Sequence, residues 1–463
     1  FKQKTAYEIM PSLVGSEMCI RDRFIIFALG LVAGVPLGLW FLRRSGLRLI
    51  EKVMVGLTLG ILLPPFISFL TVFFNIHFST MIPWISTGII LLIGLGLVIK
   101  NKKEVLEGFK LSNIKNIINP NIWTESGNWK SCIIPIILIL IILLAFWIRF
   151  QSWTPVYQEL DPYFYMYGAR QILTEGMVPP TDDTAWYPLV IKSHRVVPLL
   201  HYMFAHWYVF TTGTTNYNNF YLSASSSIYP AIVAALLAFY MYLFVKLHFG
   251  EKWGLLSGAV IAFLPATIMK MASGVSEAQP MALFSLMFAL AMFVLAFKER
   301  KKEYWFLAGL SLMWPLLASK SAPVVSFVMV GFVAIFSILS FIRGKKLELD
   351  KRAKEMWILS IMMVVFLLLV GIYQSSGMRT ILRHYYFIGA ILIIAFFYVM
   401  YFLIDKVRYF AKRNNRIYFS IGLFVLFLIM FFVPIISNSL RSFGYLFGQQ
   451  ATYTNALDRT IQE

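Results

Sequence analysis

The chain has 463 residues, of which 59% are hydrophobic and only 14% are charged. Soluble domains have about 25% charged residues, so this composition excludes an ordinary soluble fold. The net charge of +19 would suit nucleic-acid binding, but the Lys and Arg residues lie in short loops between apolar runs long enough to span a bilayer. The sequence therefore predicts an all-α, multi-pass membrane protein that does not bind nucleic acid.

The first segment, residues 1–23, is expected to be non-native. It contains KTAYEIMPSLVGSEMCIRDR, which resembles a translated sequencing adaptor. A signal peptide is the alternative, but this stretch lacks the apolar core that such a peptide needs. The two cysteines, Cys19 and Cys132, predict no disulfide framework.

Twelve membrane spans are predicted, three in residues 24–130 and nine in residues 131–463. The predicted ranges are 24–42, 53–74, 82–99, 131–149, 222–246, 253–270, 281–297, 304–319, 323–342, 356–373, 386–403 and 417–436. Prolines inside these ranges do not argue against them, because membrane helices tolerate proline.

Every second connection between spans is basic, which predicts that those connections are cytoplasmic. They are residues 43–52, 100–110, 246–252, 298–303, 343–354 and 405–416. The external loop 150–221, the loop 270–280 and the final external loop 437–463 then share the outer side. The apolar stretch 196–210 is predicted to be an interfacial helix, because a span there would invert the sidedness of the later basic loops.

Asp161 precedes Pro162, a combination typical of a helix start. Leu160, Phe164, Tyr167 and Leu173 recur at roughly helical spacing around this start and predict an amphipathic helix at the membrane surface. From this stretch alone, an N-cap is the favoured role of Asp161.

Four further acidic residues on the predicted outer side are considered as candidates. Glu277 precedes a span and is interpreted either as a cap or as a functional carboxylate at the bilayer entry. Glu463 closes TIQE at the end of the chain. Asp182 and Asp183 are a candidate cation site, but their Pro-Pro-Thr-Asp-Asp context favours a turn.

Oxygen ligands suit a hard divalent cation such as Mg²⁺ or Mn²⁺. If Asp161, Glu277 and Glu463 converge outside the bilayer, they can hold such an ion within reach of a lipid-linked phosphate. The ion would then neutralise the charge that develops on the leaving phosphate. Lys270 lies on the same loop as Glu277 and is a candidate helper, although a lysine at a span end more often extends its ammonium to the interface.

Three stretches together resemble the motifs of one family. They are DPYFYMYGAR (161–170), SGVSEAQ (273–279) and TIQE (460–463). In this order they resemble the catalytic subunit of oligosaccharyltransferase, the STT3, AglB and PglB group, over residues 131–463. The resemblance implies a GT-C-type transmembrane domain whose long first external loop contains interfacial helices.

The resemblance also implies roles for the matching residues. Asp161 and Glu463 would be catalytic residues that contact the acceptor amide and the metal. Glu277 would complete the metal site, with Gln279 in a place where the family has an acidic residue or His. Arg170 belongs to the first matching stretch and is assigned, with Lys270, to substrate binding.

The sequence departs from the family pattern at the metal site. Glu277 stands where the family usually has Asp, and Gln279 adds no charge. The three spans within 24–130 also have no counterpart in the common architecture. The soluble domain with its W-W-D-x-G segment is not found in the sequence, so the chain is expected to be truncated and inactive alone.

The predicted reaction is transfer of a glycan from a polyprenyl or dolichyl (di)phosphate carrier to Asn in the Asn-x-Ser/Thr sequence of an acceptor polypeptide. The expected cofactor is Mn²⁺ or Mg²⁺, the partners are the lipid-linked oligosaccharide, the acceptor and membrane lipids, and the active face is extracytoplasmic. One alternative is another GT-C enzyme that uses a lipid-phosphate sugar and a hydroxyl or lipid acceptor. A transporter or scaffold is the third, although transport predicts charges or broken helices at mid-span.

Overall fold

The computed structural model describes residues 30, 32–108, 129–186, 189–192, 197–319 and 321–425. The chain forms two compact units. The first comprises Phe1–Val330 and Glu355–Ile393, and the second comprises Gly331–Lys354 and Ile394–Glu463.

Helices make up most of the described chain. In order they are α1 (Val35–Phe41), α2 (Leu49–Leu70), α3 (Met81–Lys100), α4 (Lys102–Gly108), α5 (Trp129–Phe150), α6 (Asp161–Glu175), α7 (Pro198–Thr212), α8 (Asn219–Ser226), α9 (Tyr229–Phe249), α10 (Glu251–Phe263), α11 (Pro265–Lys270), α12 (Ala278–Glu299), α13 (Lys302–Ser311), α14 (Met313–Leu317), α15 (Ala322–Ile342), α16 (Lys346–Tyr373), α17 (Met378–Arg383) and α18 (Tyr385–Lys406). Short 3₁₀ helices occupy Thr71–Phe74 and Arg408–Ala411.

Eight helical segments of the described chain are long and apolar enough to cross a membrane, which confirms an integral membrane protein. They are Leu49–Phe74, Met81–Lys100, Ile133–Phe150, Asn219–Phe249, Ala278–Glu299, Ala322–Ile342, Lys346–Tyr373 and Tyr385–Lys406. Each coincides with a predicted span. Of the other four predictions, 24–42 and 417–436 extend beyond the described residues, and 253–270 and 304–319 are each divided into two helices.

The predicted span 253–270 is divided at Leu264, between α10 and α11. Leu264 has an extended backbone (φ −65°, ψ 119°), as expected for the residue before Pro265, whose ring disfavours a helical neighbour. The break leaves α10 carbonyls without helical partners. Arg149, only 1% exposed, donates to the Ala262 carbonyl at 3.0 Å and to Thr267 Oγ1 at 3.1 Å, and so joins the two halves.

The predicted span 304–319 is divided at Leu312, between α13 and α14. Pro315 has no N–H for the carbonyl of Ser311, and its ring clashes with that carbonyl in a continuous helix. The chain therefore turns at Leu312, whose N–H donates to Gly309 O at 3.1 Å.

Four of the basic connections meet at one end of the first unit, where acidic side chains pair with their cations. The pairs are Arg43–Glu104 (2.7 Å), Arg43–Glu303 (3.1 Å), Arg48–Glu251 (2.8 Å) and Lys246–Glu51 (2.5 Å). Connections predicted to share a side of the membrane thus share an end of this unit.

Helix α7 is the helix predicted for 196–210, and it is covered by other parts of the protein. Every residue from Pro198 to Phe210 is buried, because a helix that is apolar all round must be covered on every face. His206 Nε2 lies 3.2 Å from Ser68 Oγ and 3.1 Å from Ser86 Oγ. The helix therefore packs against α2 and α3.

An antiparallel hairpin interrupts the helices of the described chain. Its strands are β1 (Thr181–Trp186) and β2 (Leu189–Lys192), with Thr181 opposite Lys192. The turn predicted at Asp182 and Asp183 is wrong, since both lie within β1. Asp182 is buried and accepts a hydrogen bond from the Tyr167 hydroxyl at 2.9 Å.

The second unit contains the end of α15, the start of α16, the later part of α18 and a helical stretch at 413–425. Lys346 pairs with Asp405 within it. The rings of Phe341, Phe410 and Phe419 pack edge to face and form its apolar centre.

Candidate active site

Asp161 is the first residue of α6, and its side chain is exposed. The N-cap position belongs to Leu160, and no side-chain capping hydrogen bond is formed. The capping role favoured by the sequence is therefore wrong. The Asp161 carboxylate remains available for a ligand at the positive end of the helix dipole.

Helix α6 is held by a different stripe from the predicted one. Leu160 is 86% exposed and Phe164 is 39% exposed. The buried residues are Pro162, Met166, Gly168, Ala169, Gln171, Ile172 and Leu173. This stripe packs on α7, and Gly168 is required there because a Cβ would lie 2.4 Å from His201 Nδ1.

Glu277 occupies the N-cap position of α12 without making a side-chain capping bond. Only 3% of the residue is exposed, and its Oε2 has no hydrogen-bond partner among the described residues. Burial is the main cause that raises the pKa of Glu277 to about 7, and the Glu159 carboxyl raises it further. Asp161 contributes in the same direction, whereas Lys270 opposes it.

The loop that carries Glu277 is fixed by backbone hydrogen bonds to the start of the first external loop. Gln158 N donates to Gly274 O at 3.2 Å, and Ser273 N donates to Arg149 O at 3.0 Å. Gly274 has φ +94° and a Cβ there would meet the Gln158 side chain at 3.2 Å, so glycine fits both the backbone and the space. The Tyr229 hydroxyl donates to the Glu277 carbonyl at 2.9 Å.

Glu159 is a site residue that the sequence reasoning missed. Its carboxyl lies close enough to that of Glu277 to share a hydrogen bond when one of the two is protonated. Lys270 Nζ is 3.9 Å from Glu159 Oε1, and both side chains are about half exposed. The sequence shows Glu159 as a second acid, two positions before Asp161 in QELDP. It was missed because helical periodicity relates only residues within a helix, and Glu159 precedes α6.

Tyr165 links the two acidic segments. It lies one turn after Asp161 on α6, close enough to Glu277 and to the Ala278 backbone for both to shift the pKa of its hydroxyl. Burial, Asp161 and Glu277 raise the pKa of its hydroxyl. The sequence signal for Tyr165 is its position four residues after Asp161, because this spacing places two side chains on one helix face.

The remaining predicted residues are not drawn together to the same extent. Arg170 follows Asp161 by nine residues, about 13 Å along the axis and on the opposite face of α6. Its guanidinium lies 5.2 Å from the centre of the Tyr217 ring. Gln279 is exposed on the first turn of α12, and Glu463 lies outside the described residues.

Among the described residues, no group of three His, Cys, Asp or Glu side chains forms a ready metal site. The donors that are present nevertheless fit a hard divalent cation. Glu277 has a buried, unpartnered carboxylate oxygen, and the Glu159 carboxyl is near enough to raise its pKa. Such an oxygen costs free energy until a hydrogen-bond donor or a cation satisfies it.

Solved structures and one family model match parts of the chain. No curated protein matches the chain. Among solved structures, the crystal structure of the Archaeoglobus fulgidus oligosaccharyltransferase in complex with Zn and sulfate matches with 18% identity and a TM-score of 0.49, over 64% of this chain and 40% of that one. The structure of that enzyme tethered to an acceptor peptide with the NVT sequon matches with 16% identity and a TM-score of 0.49, over 65% and 38%.

This chain therefore spans about two fifths of the length of the solved chains it matches. The family model described as oligosaccharyl transferase STT3, N-terminal, matches residues 132–453, which is more than half of the sequence. The chain belongs to the oligosaccharyl transferase STT3 family.

Proposed function

We propose that the protein transfers a glycan from a polyprenyl or dolichyl (di)phosphate carrier to the side-chain amide of Asn in Asn-x-Ser/Thr, at the extracytoplasmic face of the membrane. Family membership supports a glycosyltransferase of the oligosaccharyltransferase type. The observation that carries the proposal is the buried Glu277 carboxylate, which has an oxygen without a described partner and whose pKa is raised by Glu159 and Asp161.

The acceptor amide is a poor nucleophile because its nitrogen lone pair is delocalised into the carbonyl. A carboxylate that accepts an N–H bond from this amide holds the nitrogen in place and favours localisation of the pair. Asp161 suits this role because it is exposed and makes no capping bond. Glu463 is assigned the same role by the resemblance.

The proposed cofactor is Mn²⁺ or Mg²⁺, held by Asp161, Glu277 and Glu463, with the Gln279 amide oxygen as a weaker candidate. Carboxylate oxygens are the ligands that these cations prefer. When bound, the cation supplies positive charge that stabilises the departing phosphate.

A transfer assay tests the proposal. The complete protein in proteoliposomes is given a lipid-linked glycan and a peptide with Asn-x-Thr, and glycopeptide is measured by mass spectrometry. We expect glycosylation of this peptide, none of a control peptide with Gln in place of Asn, and loss of activity with EDTA that Mn²⁺ restores. Sugar on a hydroxyl or lipid acceptor, with none on the Asn peptide, would instead support the alternative GT-C reaction.

The role of Gln279 is testable by a change that adds charge. Gln279→Glu is expected to lower the Mn²⁺ concentration for half-maximal transfer by about three- to tenfold, because cation affinity rises with ligand charge. Gln151→Glu is the matched control, since Gln151 is exposed at the end of α5. An unchanged Mn²⁺ titration in Gln279→Glu would place that side chain away from the ion.

A further inference from the structure

The leading helices, α1, α2 and α3, precede residue 132, where the match to the family model begins. They pack closely on one another. A Cβ on Gly34 would lie 2.2 Å from the backbone of Gly60, and a Cβ on Gly38 would lie 2.4 Å from that of Gly56. Glycine permits this approach of two helix backbones. The family match does not cover these helices, so their role is inferred from what they contact.

Buried polar contacts join α2 to α9, a helix within the matched part of the chain. The Tyr240 hydroxyl donates to Thr58 Oγ1 at 2.9 Å. The Tyr242 hydroxyl and Lys246 Nζ both donate to Glu51 Oε1 at 2.5 Å, and Glu51 is fully buried. Separating such groups would leave them buried without partners, so these contacts fix the leading helices against the rest of the first unit.

The connection between α2 and α3 contacts the end of the Asp161 helix. Phe78 N donates to Gly176 O at 2.8 Å, and His77 Nδ1 lies 3.1 Å from Glu175 O. A carbonyl oxygen only accepts, so Nδ1 of His77 carries the donated proton. Glu175 and Gly176 are the last residue and the C-cap of α6, where carbonyls have no partner within the helix. The leading helices supply those partners.

The fit at this contact is close. Gly176 has φ +80°, and a Cβ there would lie 2.7 Å from both Cβ and Nδ1 of His77. Glycine is common after the last turn of a helix because it adopts this conformation without strain. Here it also leaves the space that the imidazole of His77 fills.

The same connection holds α6 indirectly, through α7. Phe78 is buried, and the centre of its ring lies 6.0 Å from those of Tyr202 and His206 on α7. Helix α7 packs in turn on α6, where His201 lies against Gly168. The leading helices therefore fix α6 at its end and support the helix on which it rests.

Asp161 lies at the opposite end of α6, with an exposed side chain. The helix is a rod of about 21 Å between Asp161 and Glu175, so a tilt of about 5° about its centre moves either end by about 1 Å. A displacement of that size at a reacting group can lower a rate by about 10²-fold. The contacts at the far end of α6 therefore bear on the position of Asp161.

We propose that the leading helices position Asp161 for the reaction by fixing the opposite end of α6, with His77 and Phe78 as positioning residues. The inference rests on the proposed function, in which Asp161 contacts the metal and the acceptor amide. It gives a role in catalysis to three helices that lie outside the family match.

The variant His77→Ala/Phe78→Ala of the complete protein tests this role in the transfer assay. We expect kcat to fall by at least about tenfold, and the Mn²⁺ concentration for half-maximal transfer to rise by about threefold, because cation affinity depends on the rigidity of the site. A smaller folded fraction would lower the apparent kcat without changing the Mn²⁺ dependence. His77→Asn/Phe78→Leu should restore most of both values, since Asn donates an N–H and Leu fills an apolar space.

Hydrogen exchange of the α6 amides in metal-free protein measures the same contact without catalysis. Exchange within 162–176 should be at least about fivefold faster in the double alanine variant, because fewer contacts oppose local opening. His77→Ala alone should act in the same direction, and it leaves folding intact because His77 is exposed. The matched control is Phe74→Ala/Ile76→Ala in the same connection, where the residues are 75% and 50% exposed, and it should behave as wild type.

Wild-type exchange rates in the double alanine variant would overturn the inference. Wild-type Mn²⁺ dependence in that variant, or an equal change in the Phe74/Ile76 control, would overturn it as well. If the proposed function fails and this inference holds, the wild type glycosylates no Asn peptide, while exchange in α6 still depends on residues 77 and 78.

Discussion

Asparagine in place of Asp161 is expected to lower the rate of glycan transfer by at least about 10²-fold, the usual effect of removing one group that stabilises a transition state. The substitution keeps the size of the side chain and removes its charge, so it weakens both metal binding and the interaction with the acceptor N–H. Folding should not suffer, because Asp161 is exposed and its side chain makes no capping bond in α6.

The matched control is Glu175→Gln, at the last residue of the same helix. It makes the same change of charge on an exposed side chain, about 21 Å along the axis from Asp161, and should transfer at the wild-type rate. Initial rates of glycopeptide formation decide the matter, with membrane insertion and thermal unfolding measured in parallel. Wild-type turnover in Asp161→Asn would remove this residue from the active site.

The membrane spans are predictable because length and apolarity are local properties. All eight spans of the described chain coincide with predicted ranges. The two interrupted helices were not predictable in the same way, because proline is often accommodated within membrane helices. At Pro265 the break is stabilised by Arg149, a contact with a helix more than 100 positions earlier in the chain.

Position within the fold was harder to predict than element type. The stretch 196–210 was correctly predicted to be helical, but an apolar, Trp- and Tyr-containing sequence suits both the interface and the interior. Contacts from Ser68 and Ser86 to His206 bury this helix among other helices. These partners come from the leading helices, which no local pattern connects with the external loop.

For the site, the motifs located Asp161 and Glu277 but misjudged their local roles. Both lie at helix starts, where capping is the common function of an acidic residue, and neither makes a side-chain cap bond. Glu159 and Tyr165 belong to the site through the packing of the 157–165 segment against the loop 271–277. That packing depends on backbone contacts between distant segments, which the sequence does not display.

Glutamine in place of Glu277 is expected to abolish metal-dependent transfer and yet to stabilise the metal-free protein above pH 7. Burial and Glu159 raise the pKa of Glu277 from 4.5 to about 7, so the folded state binds more protons than the unfolded state between these pH values. Stability due to this group therefore falls as the pH rises from about 4.5 to about 7, and is constant above. The gain from removing the charge is on the order of 1–3 kcal/mol.

Thermal unfolding in detergent with EDTA, followed from pH 5 to pH 8, measures this effect. The wild type should lose stability across the interval, while Glu277→Gln should change less and unfold at a higher temperature at pH 8. Glu175→Gln should follow the wild-type profile, because its carboxylate is exposed. Saturating Mn²⁺ should reverse the order at pH 8, since the cation stabilises only the protein that binds it. Parallel pH profiles for wild type and Glu277→Gln would show that the carboxylate is solvated in the folded protein. They would contradict the buried, unpartnered oxygen on which the proposed metal site depends.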